Sequence, residues 1–280
     1  MKPAKHTDLL INVIQELEDS DFVKKPCRLK SFEEYFTEAY YKIELYEGEM
    51  GLTAIIHDYE HSKSEVSSFL SNKDNIEVFC FYIKEPDPFF MKLFCNSCFS
   101  EQMKVLRVGG CDKLSFEKDI DYSKIISILG EYVFPNLRIC ELGVWDLYSN
   151  SGECHGWLGD ISPLLHHNPH IEELNLFGYF VCSKVFKFSD LNSISLYLSY
   201  WGEAHQFLQE DLDNILESSF PKLRHLVIYT EAEDTIYSLS ENIYKIKSLE
   251  VIELSGAFVQ SDLSKIKSVF ADRECQVLLY

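Results

Sequence analysis

The sequence contains no long apolar run, and basic residues are scarce in it. No stretch approaches the roughly 20 apolar residues that a membrane-spanning helix requires. The 26 lysines and arginines are outnumbered by 45 aspartates and glutamates, so the formal net charge is −19. Nucleic acids and anionic membranes are bound by clustered lysine and arginine, so we expect neither as a partner. Polar residues interrupt the first apolar segment (residues 9–17), which indicates an amphipathic helix rather than a secretory signal. We therefore expect a cytoplasmic protein.

A disulfide framework and the common catalytic motifs are also absent. The nine cysteines are odd in number and irregularly spaced, unlike a set of paired half-cystines. Neither a G-x-S-x-G nucleophile motif nor a glycine-rich phosphate-binding loop occurs. Cys95 and Cys98 have the C-x-x-C spacing of a zinc or redox pair, but a structural zinc site needs a second pair and only Cys111 follows nearby. We interpret these thiols as buried or incidental, with metal binding or a redox pair as the alternatives, and expect no cofactor.

Two histidine-rich segments are the remaining candidates for metal chemistry. His166, His167 and His170 lie at a predicted helix-to-strand turn without an adjacent carboxylate or thiol ligand, so a polar turn is favoured. His57 is not followed directly by the glutamate of a zinc-protease helix, and we interpret residues 57–61 as a loop.

One phrase recurs along the chain: apolar-x-x-apolar-x-apolar, in which we expect the apolar side chains to point into a core. Its copies start at residues 52, 76, 103, 137, 171, 191, 223, 249 and 275, so successive starts are 20 to 34 residues apart. The first copy is degenerate (Leu52, Ile55, His57), and the last is Cys275, Leu278 and Tyr280. Short amphipathic segments predict helices between the copies, over residues 122–132, 161–166, 208–218, 239–246 and 262–270.

A proline often stands two residues ahead of the first apolar residue of a copy, as Pro135, Pro169 and Pro221 do. Proline cannot extend the preceding helix and favours extended backbone before it, so each helix is predicted to end there. The phrase and the proline that leads into it resemble leucine-rich-repeat proteins, particularly uncharacterised bacterial cytoplasmic members of that family. The resemblance covers roughly residues 75–280 and extends, with the degenerate first copy, to residue 50.

The resemblance implies an α/β leucine-rich-repeat solenoid, with a curved parallel β-sheet on the concave face and short helices on the convex face. Residues 1–48 are then an N-terminal α/β cap, with helices over residues 8–19 and 31–40 and a strand over 41–46. Residues 49–280 form an irregular solenoid of about eight to nine repeats. Irregularity is expected because the asparagine ladder of many members is missing. The ladder positions hold Lys84, Cys111, Trp145, Tyr179, Ser199, Glu231 and Ala257.

The outward strand positions supply the predicted binding surface. One column is rich in aromatic residues, which are favoured anchors of protein interfaces, although these rings could instead pack on one another. The predicted partner-binding residues are Tyr82, Arg107, Glu141, Glu173, Phe177, Tyr197, His225, Tyr229 and Glu253. Residues 141–260 carry 18 acidic and 6 basic side chains, a net −12, which suits a partner carrying basic groups.

We therefore expect a non-catalytic recognition module that binds a protein partner through its concave face, in a specialised version an immunity or antitoxin-like protein. Two other classes fit the sequence. The chain is alternatively an adaptor or substrate-recognition subunit of a larger complex, which would dock through the cap. Least favoured is a hydrolase with a dispersed active site, which would need a pocket of convergent titratable groups. The sequence leaves the oligomeric state open.

Overall fold

The computed structural model of the chain describes residues 41–48, 50–58, 66–83, 86–95, 98–110, 120–144, 156–198, 208–230 and 237–280. Within these residues the protein is a mixed α/β fold built on a large, mostly parallel sheet. The predicted helices over residues 8–19 and 31–40 lie outside the described residues. None of the described helices has the length and apolarity needed to cross a bilayer.

Short helices separate most of the strands. The strands are β1 (Lys42–Gly48), β2 (Gly51–His57), β3 (Val78–Tyr82), β4 (Val105–Gly109), β5 (Ile120–Asp121), β6 (Ile139–Val144), β7 (Gly156–Asp160), β8 (Glu173–Phe177), β9 (Tyr179–Val181), β10 (Ser193–Leu198), β11 (His225–Thr230), β12 (Val251–Ser255) and β13 (Gln276–Leu279). The helices are α1 (Val66–Asn72), α2 (Pro88–Cys95), α3 (Cys98–Gln102), α4 (Ser123–Leu129), α5 (Ser162–His167), α6 (Gln209–Leu216) and α7 (Gln260–Phe270). Single 3-10 turns cover Lys73–Asn75 and Ile243–Lys245.

Ten strands form the main sheet, in the order β1-β2-β3-β4-β6-β8-β10-β11-β12-β13. The hairpin of β1 and β2 is antiparallel, and every later pair of neighbours is parallel. β5, β7 and β9 form a second, small parallel sheet. Each main-sheet strand therefore pairs with the next main-sheet strand along the chain. β1, which falls in the predicted cap, is hydrogen-bonded directly to the first strand of the predicted repeats.

A continuous backbone ladder connects the strand entrances. The carbonyl at the second position of a phrase accepts hydrogen bonds from the amides at the second and third positions of the next phrase, as Glu77 does from Lys104 (2.9 Å) and Val105 (3.1 Å). The segments between phrases differ in length, yet the pattern holds for six successive carbonyls, those of Glu77, Lys104, Arg138, Glu172, Asn192 and Arg224. The carbonyl of Glu250 accepts from the amide of Gln276 (2.7 Å).

The inward side chains form one hydrophobic core between the main sheet and the helices. At its N-terminal end the core is aromatic: Phe94 of α2 meets Phe81 of β3 edge-to-face at 5.7 Å between ring centroids and Phe99 of α3 at 5.7 Å. Farther along, leucine and isoleucine take the same inward positions, as Leu174 and Leu176 do in β8. The seven internal copies of the phrase are confirmed as strands with the predicted phase.

The first and last copies of the phrase are wrong by one residue. Phe79 and Phe81 of β3 face the core and pair with Ala54 and Ile56 of β2, so Ile55 and His57 lie on the opposite face of the sheet. At the other end, the core residue Ile252 pairs with Val277, which places Leu278 and Tyr280 on the opposite face as well. Both strands are apolar on two faces, so hydrophobicity alone does not fix which residues point inward.

Two helix predictions also need correction. The segment over residues 239–246 contains only the 3-10 turn Ile243–Lys245. α7 begins at Gln260, two residues before the predicted start. The carboxylate of Asp262 accepts a hydrogen bond from the amide of Leu239 (2.9 Å) and so connects neighbouring segments of the chain.

Two asparagines, buried Asn168 and half-buried Asn242, connect the turns ahead of the strands in place of the missing ladder. Asn168 Oδ1 accepts from the amide of Phe134 (2.7 Å), and its Nδ2 donates to the carbonyl of Leu164 (2.8 Å). Asn242 Nδ2 donates to the carbonyl of Ser218 (3.1 Å). These side chains satisfy backbone groups that would otherwise be left unpaired in the core. Of the predicted ladder positions, Lys84, Cys111, Trp145, Ser199 and Glu231 lie outside the described residues.

Gly143 is required where β6 approaches β8. The pairing of β4 with β6 is irregular between Val108 and Gly109, and Gly143 has φ +81° next to this irregularity. A Cβ atom at Gly143 would lie 1.9 Å from the carbonyl oxygen of Phe177. Gly51 also has positive φ (+107°), but a Cβ atom added there would have no neighbouring atom within 4 Å.

We predict that Gly143→Ala lowers the free energy of unfolding by about 3 kcal/mol or more, because strain at positive φ adds to a backbone clash. Gly51→Ala is the matched control, with an expected cost of about 1 to 2 kcal/mol from positive φ alone. Urea unfolding of both variants measures the difference. Equal losses would show that the close approach of β6 to β8 is not a constraint on the fold.

Candidate functional site

The nine residues predicted to bind a partner share one face of the main sheet. We call this the outer face: the strand side chains opposite the core. Register places the nine in three rows that cross the strands. The row nearest the strand entrances contains Glu173 and His225; the middle row Arg107, Glu141 and Glu253; the exit row Tyr82, Phe177, Tyr197 and Tyr229.

Exposure divides the outer face into two parts. The outer-face residues of β2, β3 and β4 are buried, and we call them the closed part; Tyr82 is 2% and Arg107 5% exposed. The outer-face residues of β10 to β13 are half-buried or exposed, and we call them the open part; Tyr229 is 36% and Tyr280 73% exposed. Tyr82 and Arg107 are therefore not accessible to a partner in this structure.

Polar side chains form a hydrogen-bonded row from the closed part into β8. The Arg107 guanidinium is ion-paired with Glu141 on the neighbouring strand. Asn175 Nδ2 donates to Glu141 Oε1 (3.1 Å) and to Glu173 Oε1 (2.9 Å). Burial raises the pKa of the Cys80 thiol, which begins the row, to about 12, so this cysteine stays protonated and unreactive at neutral pH. Cys80, Arg107 and Asn175 of this row are buried and are not contact residues, whereas Glu141 and Glu173 are half-buried.

His57 is the last residue of β2. The interpretation of this residue as part of a loop was therefore wrong. The His57 imidazole is fully buried and lies 3.2 Å from Glu44 Oε1 of β1. Burial lowers the pKa of His57 below its usual value, and the Glu44 carboxylate offsets only part of that effect. His57 is therefore neutral at pH 7 and belongs to the packing of the closed part.

Three aromatic rings form a ladder across the strands where the closed part gives way to the open part. Phe177 of β8 stacks on Tyr197 of β10, with ring centroids 4.8 Å apart and planes 16° apart. Tyr197 in turn contacts Tyr229 of β11 at 6.2 Å between centroids. The three residues are aligned by register, since Tyr197 pairs with both of the others. Exposure rises along the ladder from Phe177 (7%) to Tyr229 (36%).

The open part also carries residues that the sequence pattern missed. Leu278 and Tyr280 extend the outer face on and beyond β13, because of the one-residue register difference described above. Leu278 pairs with Glu253, and Val277 faces the core. Moving the last phrase back by one residue places apolar Val277 and Leu279 in the inward positions but puts Glu274 in the first, so the repeat pattern gave no signal for this register.

Ser189, His170 and Asp190 bring together the residue types of a hydrolytic triad at the strand-entrance rim. However, His170 Nδ1 is the atom nearest both partners, at 3.1 Å from Ser189 Oγ and 3.2 Å from Asp190 Oδ2. Proton relay requires the serine and the carboxylate on opposite imidazole nitrogens. Hydrogen bonds from Lys222, and then from Ser189 and His170, hold the pKa of Asp190 well below its usual range. The set is an exposed polar cluster without triad geometry.

The cysteine and histidine motifs do not converge. Cys95 is buried in the core, while the side chain of Cys98 and all of Cys111 lie outside the described residues. His167 Nδ1 is 2.7 Å from the Gly130 carbonyl, and His170 points to a different turn. Among the described residues, no group of three or more His, Cys, Asp or Glu side chains is arranged to hold a metal ion.

No protein-family model, curated protein or solved structure matches this chain significantly.

We predict that Glu141→Gln lowers the free energy of unfolding by about 3 kcal/mol or more, because it leaves the buried Arg107 charge unpaired. Replacing both residues with apolar ones (Arg107→Met with Glu141→Leu) should cost less than the single change. The control is Glu172→Gln, which breaks an exposed ion pair with Arg138 (3.1 Å) and should cost no more than about 1 kcal/mol. Denaturant unfolding measures all three. A Glu141→Gln loss no larger than that of Glu172→Gln would contradict the burial of the pair.

We predict that acid destabilises the protein partly through His57. Because the native pKa of His57 is lowered, the unfolded state takes up the proton first, and stability falls as the pH drops below about 6.5. His57→Gln removes the titrating group and should reduce this loss of stability between pH 7 and pH 5. Urea unfolding across that range, on wild type and variant, tests the expectation. Identical pH dependence in the two proteins would refute it.

Proposed function

We propose that the main sheet is the concave wall of a leucine-rich-repeat solenoid. Three observations support this architecture. Each main-sheet strand pairs with the next main-sheet strand along the chain. The carbonyl at the second position of successive phrases is the acceptor in the backbone ladder. Helices and the small second sheet occupy the return segments. Repeats that contact only their neighbours are typical of solenoids.

We further propose that the chain is a non-catalytic recognition module that binds a protein partner carrying basic groups. The observation that carries this proposal is the aromatic ladder, which ends in an exposed tyrosine on an open sheet face. Tyrosine offers large contact area at low entropic cost, and aromatic anchors dominate binding energy at protein interfaces. Two carboxylates, Glu173 and Glu253, flank the ladder and favour a basic partner.

The chemistry elsewhere supports recognition in preference to catalysis. The rim cleft beside His225 has a volume of about 590 Å³ and is lined by Glu172, Asp190, Lys222 and Arg224. Its charged groups are already in ion pairs: Lys222 with Asp190 (2.6 Å), Arg224 with Glu250 (3.6 Å) and Glu172 with Arg138 (3.1 Å). An immunity or antitoxin-like role is a specialised form of this proposal and rests on net charge alone.

A cytoplasmic location is part of the same proposal. Cys80, Cys95, Cys140 and Cys182 are buried free thiols, and each behaves as a small apolar residue. Free thiols in such number are typical of proteins kept in a reducing compartment.

We predict that a photo-crosslinking residue placed on the open part captures one partner protein in the native cell. p-Benzoylphenylalanine at Ser195 or Ser255 lies next to the aromatic ladder without replacing a ring. The same residue at Ser268, exposed on α7, is the control. Both outer-face sites should give the same adduct by mass spectrometry, and Ser268 should not.

Adding Tyr197→Ala with Tyr229→Ala should reduce the Ser195 adduct about tenfold or more, since interface tyrosines commonly contribute above 1 kcal/mol each. Circular dichroism would verify that this double variant is folded. An adduct from Ser268 only, or one insensitive to the tyrosine changes, would move the binding site away from the outer face.

A further inference from the structure

Glu253 stands out among the outer-face carboxylates because no described residue neutralises it. It lies in the middle row between Val227 of β11 and Leu278 of β13, and it is half-buried. Glu141 and Glu173 both accept hydrogen bonds from Asn175, and Glu141 also pairs with Arg107. Within the described part of the chain, the Glu253 carboxylate forms no hydrogen bond or ion pair with any side chain. A carboxylate flanked by apolar neighbours gains most from a partner that brings its own charge.

The end of the aromatic ladder lies beside this carboxylate. Glu253 of β12 pairs with Val227 of β11, and Tyr229 lies two residues beyond Val227 on the same strand. Such diagonal neighbours are about 7 to 8 Å apart, a distance that long side chains can bridge. Tyr197 is one strand beyond Tyr229. Burial, and then the negative charge of Glu253, raise the pKa of the Tyr197 phenol. By register and exposure, a half-buried carboxylate and a partly exposed tyrosine therefore border the same area of the open part.

We infer that Glu253, Tyr197 and Tyr229 form a receptor for an arginine side chain of the partner protein. The guanidinium pairs with the Glu253 carboxylate and stacks on the Tyr229 ring, and Tyr197 holds that ring in place. This inference rests on the proposed function and adds the chemical group that the surface selects. The acidic balance of residues 141–260, 18 acidic against 6 basic side chains, draws such a partner toward this half of the chain.

Arginine fits this receptor better than lysine for two reasons. Its planar guanidinium can stack on a tyrosine and donate two parallel hydrogen bonds to one carboxylate. It is also more weakly hydrated than an ammonium group, so it loses less solvation beside Val227 and Leu278. A cation placed over an aromatic ring is stabilised further by the ring quadrupole.

The test is a peptide titration followed by NMR of the full-length chain carrying 13C-labelled tyrosine rings. The probe is a nine-residue glycine-serine peptide with three arginines; the matched peptides carry citrulline, a neutral analogue of arginine, or lysine. We expect saturable shifts of the Tyr197 and Tyr229 resonances with the arginine peptide. Affinity should fall about tenfold with citrulline and about threefold with lysine.

Matched variants identify the groups responsible. Glu253→Gln should weaken the arginine peptide about tenfold, while Glu250→Gln, which removes a charge three residues away at the rim, should change affinity less than about twofold. Tyr229→Phe keeps the aromatic face and should bind nearly as wild type, whereas Tyr229→Leu should bind several-fold more weakly. Thermal unfolding of each variant checks that the fold is intact.

Several results would overturn the receptor. These are no shift at either tyrosine, equal binding of the citrulline or lysine peptide, or unchanged affinity in Glu253→Gln. If the Ser195 photo-adduct persists in Glu253→Gln but is lost in Tyr197→Ala with Tyr229→Ala, partner binding at the outer face stands and the arginine receptor is wrong. If the peptide binds as expected but no Ser195 adduct forms in the cell, the receptor stands and the assignment of a protein partner to this face fails.

Discussion

The parallel backbone ladder is the constraint on which the rest of the structure depends. Each strand entrance donates to the carbonyl at the second position of the preceding phrase, so the strands start in step even though successive phrases are separated by segments of unequal length. Once that position is fixed, the pleat decides which side chains enter the core and which form the outer face. The same pairing requires glycine where two strands come too close for a Cβ atom, as at Gly143.

The alignment also explains why the outer face has two characters. Between the closed part and β6, aligned positions bring Cys80, Arg107 and Glu141 into one polar row, where the buried Arg107 charge is paired with Glu141. In the open part, the same alignment stacks rings and leaves Glu253 without a counterion among the described residues. Removing one member of the first arrangement is costly, because an uncompensated charge would stay buried. The second arrangement is the basis on which we propose an external partner.

The sequence predicted the internal strands well because their two faces differ. In β10 and β12, less buried residues alternate with buried isoleucine and leucine. The alternation therefore shows unambiguously which residues of these strands point into the core. β2 and β13 carry apolar residues on both faces, and there the predicted phase was wrong. The grouping of nine residues on one face followed from the same alternation. The solvent exposure of these nine residues could not be predicted in the same way. Tyr82 and Arg107 are buried because other parts of the chain pack on them, and a strand pattern does not encode that packing.

The division of the outer face has a consequence for how this protein can vary. Side chains such as Ser195, Val227 and Ser255 project from strands whose opposite faces already supply the core contacts, so replacing them removes little buried apolar area. Substitutions there have a small thermodynamic cost, whereas changes in the closed part disturb packing and charge pairing at once. Under the function proposed above, specificity and foldability are encoded in different strands of one sheet. On that proposal, a lineage, or an engineer, could exchange the partner by rewriting β10 to β13 alone.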